Sequence, residues 1–316
     1  MERAIELAAS VRGRTSPNPW VGCVITPGDF EGATQPPGGP HAEVVALRAA
    51  GDQARGATLF STLEPCPHTG RTGPCVEAIV AAGIRRVVAA MEDPDPRVAG
   101  QGFAALRRAG IQVETGVCED EVRRQLAPYL KHRATGRPYV ILKMAATLDG
   151  RTAAPDGTSK WITGDEARAD VHRLRAASDA VLVGAGTVGA DDPELTARDV
   201  EADRQPLRVV LGAAPPDARV RPALELKGDP HDVLDELGAQ GVLQLLIEGG
   251  ATVAGQFHRA GLVDRYVFYL APALLGGDDG RPVLAGPGRA TMADVWRGRI
   301  VAVSRLGDDV RIDVEP

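Results

Sequence analysis

Apolar and polar positions along this chain switch between two periods, and the switches outline its elements. Over residues 2–12, Ile5, Ala8, Ala9 and Val11 recur at helical spacing and Gly13 ends the run, which predicts a helix. Val21–Ile25 and Leu59–Leu63 are short apolar runs that predict strands. Cys75–Ala82 reads as a helix closed by Gly83, and Arg86–Met91 as a buried strand. The stretch Gln101–Ala109, Gly110, Ile111–Glu114 repeats the order helix, glycine, strand. Such alternation predicts α/β architecture, with a mostly parallel sheet covered by helices on both faces.

A helical stretch ends near Arg133, and Thr135-Gly136-Arg137-Pro138 breaks the pattern, so two domains are expected, 1–137 and 138–316. The second opens with the strand Tyr139–Ala145. Thr163 and Glu166 have capping-box spacing and predict a helix running to about Ala177. Ala180–Val183, Leu207–Leu211, Leu243–Ile247 and Arg265–Ala271 read as strands, with a helix over about Ala251–Ala260. Arg299–Leu306 and Val310–Val314, around Gly307-Asp308-Asp309, read as an antiparallel hairpin.

Composition narrows the partners. The 316 residues carry 36 Lys plus Arg against 42 Asp plus Glu, a net charge of −6 without a basic stripe. That balance gives nucleic acid little electrostatic help, and 4% aromatics leave few stacking platforms. A small molecule is the expected partner. Glu2 and Glu6 interrupt the N-terminal stretch, and no 18 apolar residues run together, so neither a secretory signal nor a membrane span is expected. Four cysteines in a chain of this length do not make a disulfide framework, and the expected compartment is cytoplasmic. A homo-oligomer is left open.

The strongest chemical signal is His41-Ala42-Glu43 followed by Pro65-Cys66 and Pro74-Cys75. One imidazole and two thiolates suit Zn²⁺ with a fourth position open, where the pKa of a water falls toward ~7. Glu43 is the candidate proton carrier. Residues i and i+2 do not face each other on a regular helix, so His41 is expected at the very start of one. Closing the site instead would take a fourth protein ligand, for which Cys23, Cys118 and His68 are the candidates.

H-x-E followed by P-C…C resembles the nucleobase deaminases, with eight residues between the cysteines where that signature has two. The segments SPNPWVGCVI, HAEVVALRAAG, CPHTGRTGPC and MEDPDPRVAGQG are similar to the deaminase half of the bifunctional riboflavin-biosynthesis deaminase–reductases. In the second half LKMAATLDGRT, SKWIT, LRAASDAVLVGAGTV, ADDPELTAR and IEGGATVAGQF continue the resemblance. It implies a cytidine-deaminase-like α/β/α domain followed by a dihydrofolate-reductase-like α/β domain. The first would deaminate a phosphoribosylated diaminopyrimidinone, and the second would reduce its ribosyl group with NADPH. By the same resemblance Ala145, Trp161, Thr187, Asp191 and the turn Gly250, Ala251, Thr252, Val253, Ala254, Gly255, Gln256 contact NADPH. Lys143, Ser159, Arg175, Leu195, Arg198 and Glu248 line the phosphosugar site. His68 and Arg71 are candidate substrate contacts in the deaminase.

Simple chemistry is compatible with these assignments. Arg175 and Arg198 each offer a two-pronged grip on a sugar phosphate, and Glu248 offers a carboxylate to ribose hydroxyls. Gly184-Ala185-Gly186-Thr187-Val188-Gly189 also fits the dinucleotide fingerprint G-x-G-x-x-G. The acidic residues that follow, Glu201 and Asp203, precede a strand rather than end one, which places these glycines in a different NADPH-binding architecture. Two other readings are a nucleobase or nucleic-acid deaminase with an inactive second domain, and a zinc-stabilised binding module without turnover.

Overall fold

The computed structural model describes residues 1–69 and 73–316, and the chain divides into two compact units, Met1–Gly136 and Arg137–Pro316. Arg71 lies outside the described residues.

The first unit is built on five strands in the order Phe30–Ala33, Gly22–Thr26, Thr58–Ser61, Arg86–Ala89, Gln112–Thr115. The last three are mutually parallel, whereas Gly22–Thr26 pairs antiparallel with both its neighbours. The sheet is therefore mixed rather than mostly parallel, because the link from Thr26 to Phe30 is too short for a crossover and closes a hairpin. Phe30–Ala33 escaped the pattern, since Phe-Glu-Gly-Ala contains no β-branched residue. Its Gly32 has a distinct use: a Cβ there would lie 2.2 Å from the carbonyl oxygen of Ala42. The missing side chain lets the helix Ala42–Ala50 press onto the hairpin, and that helix carries the H-x-E segment. Ile25, Leu59, Ile79 and Leu106 fill the core.

The second unit holds an eight-stranded sheet. Its order is Leu224–Leu226, Leu207–Leu211, Ala180–Gly184, Gln244–Ile247, Tyr139–Thr147, Arg265–Ala271, Asp309–Glu315, Arg299–Leu306. The first six are parallel and the last two form the expected antiparallel hairpin. Alternate residues feed two cores: Val140 and Leu142 pack into one face, Ile141 into the other. Burial on both faces is why these strands read as nearly unbroken apolar runs.

The capping box is not formed. The helix starts at Asp165 with Gly164 as its N-cap, and the Gly164 N–H donates to the Asp309 carboxylate at 2.7 Å. A carboxylate from the terminal hairpin thus holds the N-cap backbone in place, one residue after the expected cap Thr163. The helix Pro230–Ala239 was not anticipated. Its signal was present in Asp229-Pro230, where the Asp229 side chain accepts from the N–H groups of His231 and Asp232.

Candidate active sites

In the first unit, His41 is the N-cap of the helix Ala42–Ala50, in an extended conformation (φ −74°, ψ 163°) that turns its ring off the helical path, as the i, i+2 argument required. Cys75 is the first residue of the helix Cys75–Ala81, after Pro74. Cys66 lies in the loop leaving the strand Thr58–Ser61, and the Cys75 N–H points at its sulfur at 3.5 Å. His41 Nδ1 is 3.2 Å from Cys75 Sγ and 3.5 Å from Cys66 Sγ, and all three atoms lie within 4.8 Å of one another. A tetrahedral zinc with Zn–N of ~2.0–2.1 Å and Zn–S of ~2.3 Å sets N···S edges of about 3.5 Å. The donor set therefore fits the ion in kind and in spacing.

Electrostatics agree with that fit. A hydrogen bond from Cys75, opposed by burial and reinforced by His41, draws the Cys66 thiol down to about 4. Donating that bond, together with burial, holds the Cys75 proton on well above the usual thiol range. Two thiols this close do not both ionise readily on their own, and a divalent cation would remove that limit. Glu43 is buried, with Oε2 3.5 Å from Cys75 Sγ. Burial first, and the Cys66 charge second, push its carboxyl up to about 7. Among the described residues, Cys23, Cys118 and His68 stand outside this ligand cluster. The buried Nδ1 of His68 has no hydrogen-bond partner among them.

One residue here was passed over in the sequence. Glu64, buried two positions before Cys66, accepts from the backbone N–H groups of Asp93, Gly100 and Phe103 at 3.2, 2.9 and 3.1 Å. It ties the loop entering Pro65-Cys66 to the segment that begins MEDPDP, where Asp93 also accepts from the Tyr129 hydroxyl at 3.0 Å. Glu64→Ala leaves three donors unanswered and is expected to cost about 3 kcal/mol. Faster zinc loss to a chelator is the measurement, and unchanged release would show that the loop holds without this carboxylate.

In the second unit a cavity of about 1410 Å³ opens at the carboxyl ends of the parallel strands. Its lining includes Ala145, Trp161, Thr187, Asp191, Gly250, Ala251, Thr252, Val253, Ala254 and Gln256, and also Lys143, Ser159, Arg175, Leu195, Arg198 and Glu248. Gly255 is not on the lining. A Cβ there would lie 2.1 Å from the Ala285 carbonyl oxygen, so this glycine serves close packing instead. Gly249 and Gly250 take φ of +139° and +57° and lead into the helix Ala251–Arg259, with Thr187 Oγ1 3.0 Å from where a Gly250 Cβ would stand. Side-chain-free backbone at a helix start is suited to a phosphate. Trp161 is 71% exposed, with the Arg168 guanidinium 4.6 Å above its ring, and so is no core aromatic. Ser159 donates to the Asp191 carboxylate at 3.2 Å.

The two-pronged grip expected of Arg175 is already used. Its Nε and Nη2 donate to Glu248, the latter at 2.8 Å, and Nη1 donates to the Thr196 carbonyl at 3.1 Å. Lys143 Nζ stands 3.6 Å from the same carboxylate. Glu248, with a side chain only 5% exposed, requires a cationic partner to ionise there. Arg198 remains at the surface, donating to Glu194 and to Thr196 Oγ1. His172, Arg168, Arg219 and Lys227 also line the cavity without having been singled out in the sequence. Arg168, His172 and Arg175 share one helix face by their spacing, which reads equally as a solvated charged face.

Comparison with known proteins follows the same division. The family model for the cytidine and deoxycytidylate deaminase zinc-binding region matches residues 1–91, and that for the RibD C-terminal domain matches residues 138–312. The riboflavin biosynthesis protein RibD of Escherichia coli (strain K12) is 42% identical, over 98% of this chain and 96% of its own. RibD of Mycobacterium tuberculosis (strain ATCC 25618 / H37Rv) is 44% identical, over 99% and 96%. The structure of Acinetobacter baumannii RibD superimposes with a TM-score of 0.94 at 42% identity, covering 100% of this chain and 97% of that one. The deaminase/reductase of Thermotoga maritima gives 0.90 at 35% identity, with the same coverage.

Fold and comparison together define the class, a cytidine-deaminase-like zinc domain joined to a dihydrofolate-reductase-like domain. The chain belongs to the RibD family, the bifunctional deaminase–reductases of riboflavin biosynthesis. It is an enzyme with deaminase and NADPH-dependent reductase activities, and Zn²⁺ and NADPH are its cofactors.

Proposed function

We propose that residues 1–137 deaminate the phosphoribosylated diaminopyrimidinone and that residues 138–316 reduce its ribosyl group to ribityl. The convergence of His41 Nδ1 and the two cysteine sulfurs within 4.8 Å, beside the buried Glu43 carboxyl, carries the reading. His41, Cys66 and Cys75 hold the ion, which when bound supplies the Lewis acidity that readies a water near neutral pH. Glu43 takes a proton at its carboxylate from the attacking water and passes it to a ring nitrogen. It then takes the second proton from the hydroxyl now on the ring carbon and delivers it to the amino group, which leaves as ammonia while the carbonyl forms. His68, in the loop after Cys66, contacts substrate, as the family resemblance implies.

In the second domain NADPH, when bound, supplies the hydride. The Gly250–Gln256 turn, Thr187, Asp191, Ala145 and Trp161 hold the cofactor, with Gly255 contributing through packing. Lys143 and Glu248, locked with Arg175 into one buried cluster, orient the ribose hydroxyls, while Ser159, Leu195 and Arg198 complete the substrate side. Four free cysteines suit a reducing compartment, and we place the enzyme in the cytoplasm.

A mass-spectrometric time course on the pyrimidine phosphate, with and without NADPH, tests both halves. Deamination followed by an NADPH-dependent gain of two hydrogens is expected. Deamination alone would leave the second domain without its assigned reaction.

A further inference from the structure

The cavity of the second unit exceeds the ~300–1,000 Å³ usual for one small-molecule site, and its about 1410 Å³ extends from Lys143 and Glu248 to Lys227. The order of the strands gives the direction. From the strand that ends at the Gly249-Gly250 turn, the sheet steps to Ala180–Gly184, then Leu207–Leu211, then Leu224–Leu226, after which comes Lys227. Three inter-strand steps of ~4.8 Å place Lys227 roughly 14 Å across the sheet from the glycine turn. A nucleotide whose phosphate sat at that turn and whose ribose lay toward the outer strands would come within reach of the flexible Lys227 stem.

Charge at this outer end is distributed unevenly. The Gly212 N–H donates to the Leu226 carbonyl at 2.9 Å, which locks two strand ends side by side, and neither Gly212 nor Ala213 brings a polar side chain. Arg219 lines the same region but is held by Glu194, and its backbone N–H occupies the Asp192 carboxylate at 2.8 Å. Asp229 is spent capping the next helix. The Lys227 ammonium has neither hydrogen bond nor ion pair among the described residues.

The geometry points to Lys227 as the group that reads the 2′-phosphate of NADPH and so sets the preference for NADPH over NADH, an inference that rests on the reading of this cavity as the dinucleotide site. A phosphate dianion gains an ammonium that no internal acid competes for, whereas a 2′-hydroxyl gains only a weak acceptor contact.

Titrations of NADPH and of NADH into the full-length protein, wild type and Lys227→Met, followed by calorimetry, test it. The wild type binds NADPH the tighter, and Lys227→Met weakens NADPH about tenfold while leaving NADH in place. Lys227→Arg restores most of the difference. If Lys227→Met leaves the NADPH-to-NADH ratio unaltered, including by weakening both equally, Lys227 is not the reader. A wild type that takes neither dinucleotide removes the cavity assignment itself, and the Lys227 role with it.

Discussion

Glu43→Gln keeps its zinc and loses ammonia release, by about 10²–10⁴-fold. The amide matches the carboxylate in shape, so the neighbours of the side chain, Cys75 above all, remain packed as they are. What disappears is a group able to take up a proton and give it back inside a closed pocket. Metal analysis beside an ammonia assay reads the two effects separately. Zinc lost together with activity would make Glu43 a prop for the ligands, and zinc retained with full activity would remove it from the chemistry. A non-catalytic zinc module predicts zinc in both proteins and no ammonia release even from the unsubstituted enzyme.

Glu248→Ala is expected to destabilise the second unit by about 3–5 kcal/mol, because it leaves Arg175 and Lys143 facing one another with their shared anion gone. Amide hydrogen exchange in the strand Gln244–Ile247 is the suitable measurement, since it reports the opening of this unit directly. Unchanged protection would mean that solvent neutralises the site at little cost. The cluster also fixes a dependence on acidity. Burial alone would raise the Glu248 carboxyl, but the Arg175 charge and hydrogen bonds, with Lys143, hold it at about 2. The folded value lies below the ~4.3 of an unfolded glutamate. The contribution is therefore complete above pH ~4.3 and is lost as the pH falls toward ~2. Protection in Glu248→Ala should be correspondingly flatter across that window.

Sequence patterning revealed the elements best where burial is two-sided. Arg265–Ala271 and Leu207–Leu211 were legible to the residue, since burial on both faces leaves them apolar apart from Arg265 and Arg208 near their starts. Phe30–Ala33 was not, because its glycine serves a helix on one face and its neighbours meet solvent. Motif spacing brought out His41, Cys66 and Cys75, as donors must be of particular kinds to share an ion. Glu64 and Lys227 were hidden for the opposite reason. An acid that binds three distant amides and a lysine at the mouth of a cavity look locally like any other charged residue. Arg175 shows the limit from a third side, because its role depends on Glu248, 73 positions away in sequence.

The strand Tyr139–Thr147 is the first of its unit to be made, yet it ends up inside the sheet between Gln244–Ile247 and Arg265–Ala271. On the ribosome, at about 5–20 residues per second, both its edges wait roughly 5 to 25 s for partners. A nascent chain bearing Tyr-Val-Ile-Leu with open edges for so long is a natural client for holding chaperones. Slower synthesis of the stretch between Thr147 and Gln244 is then expected to lower the yield of folded protein.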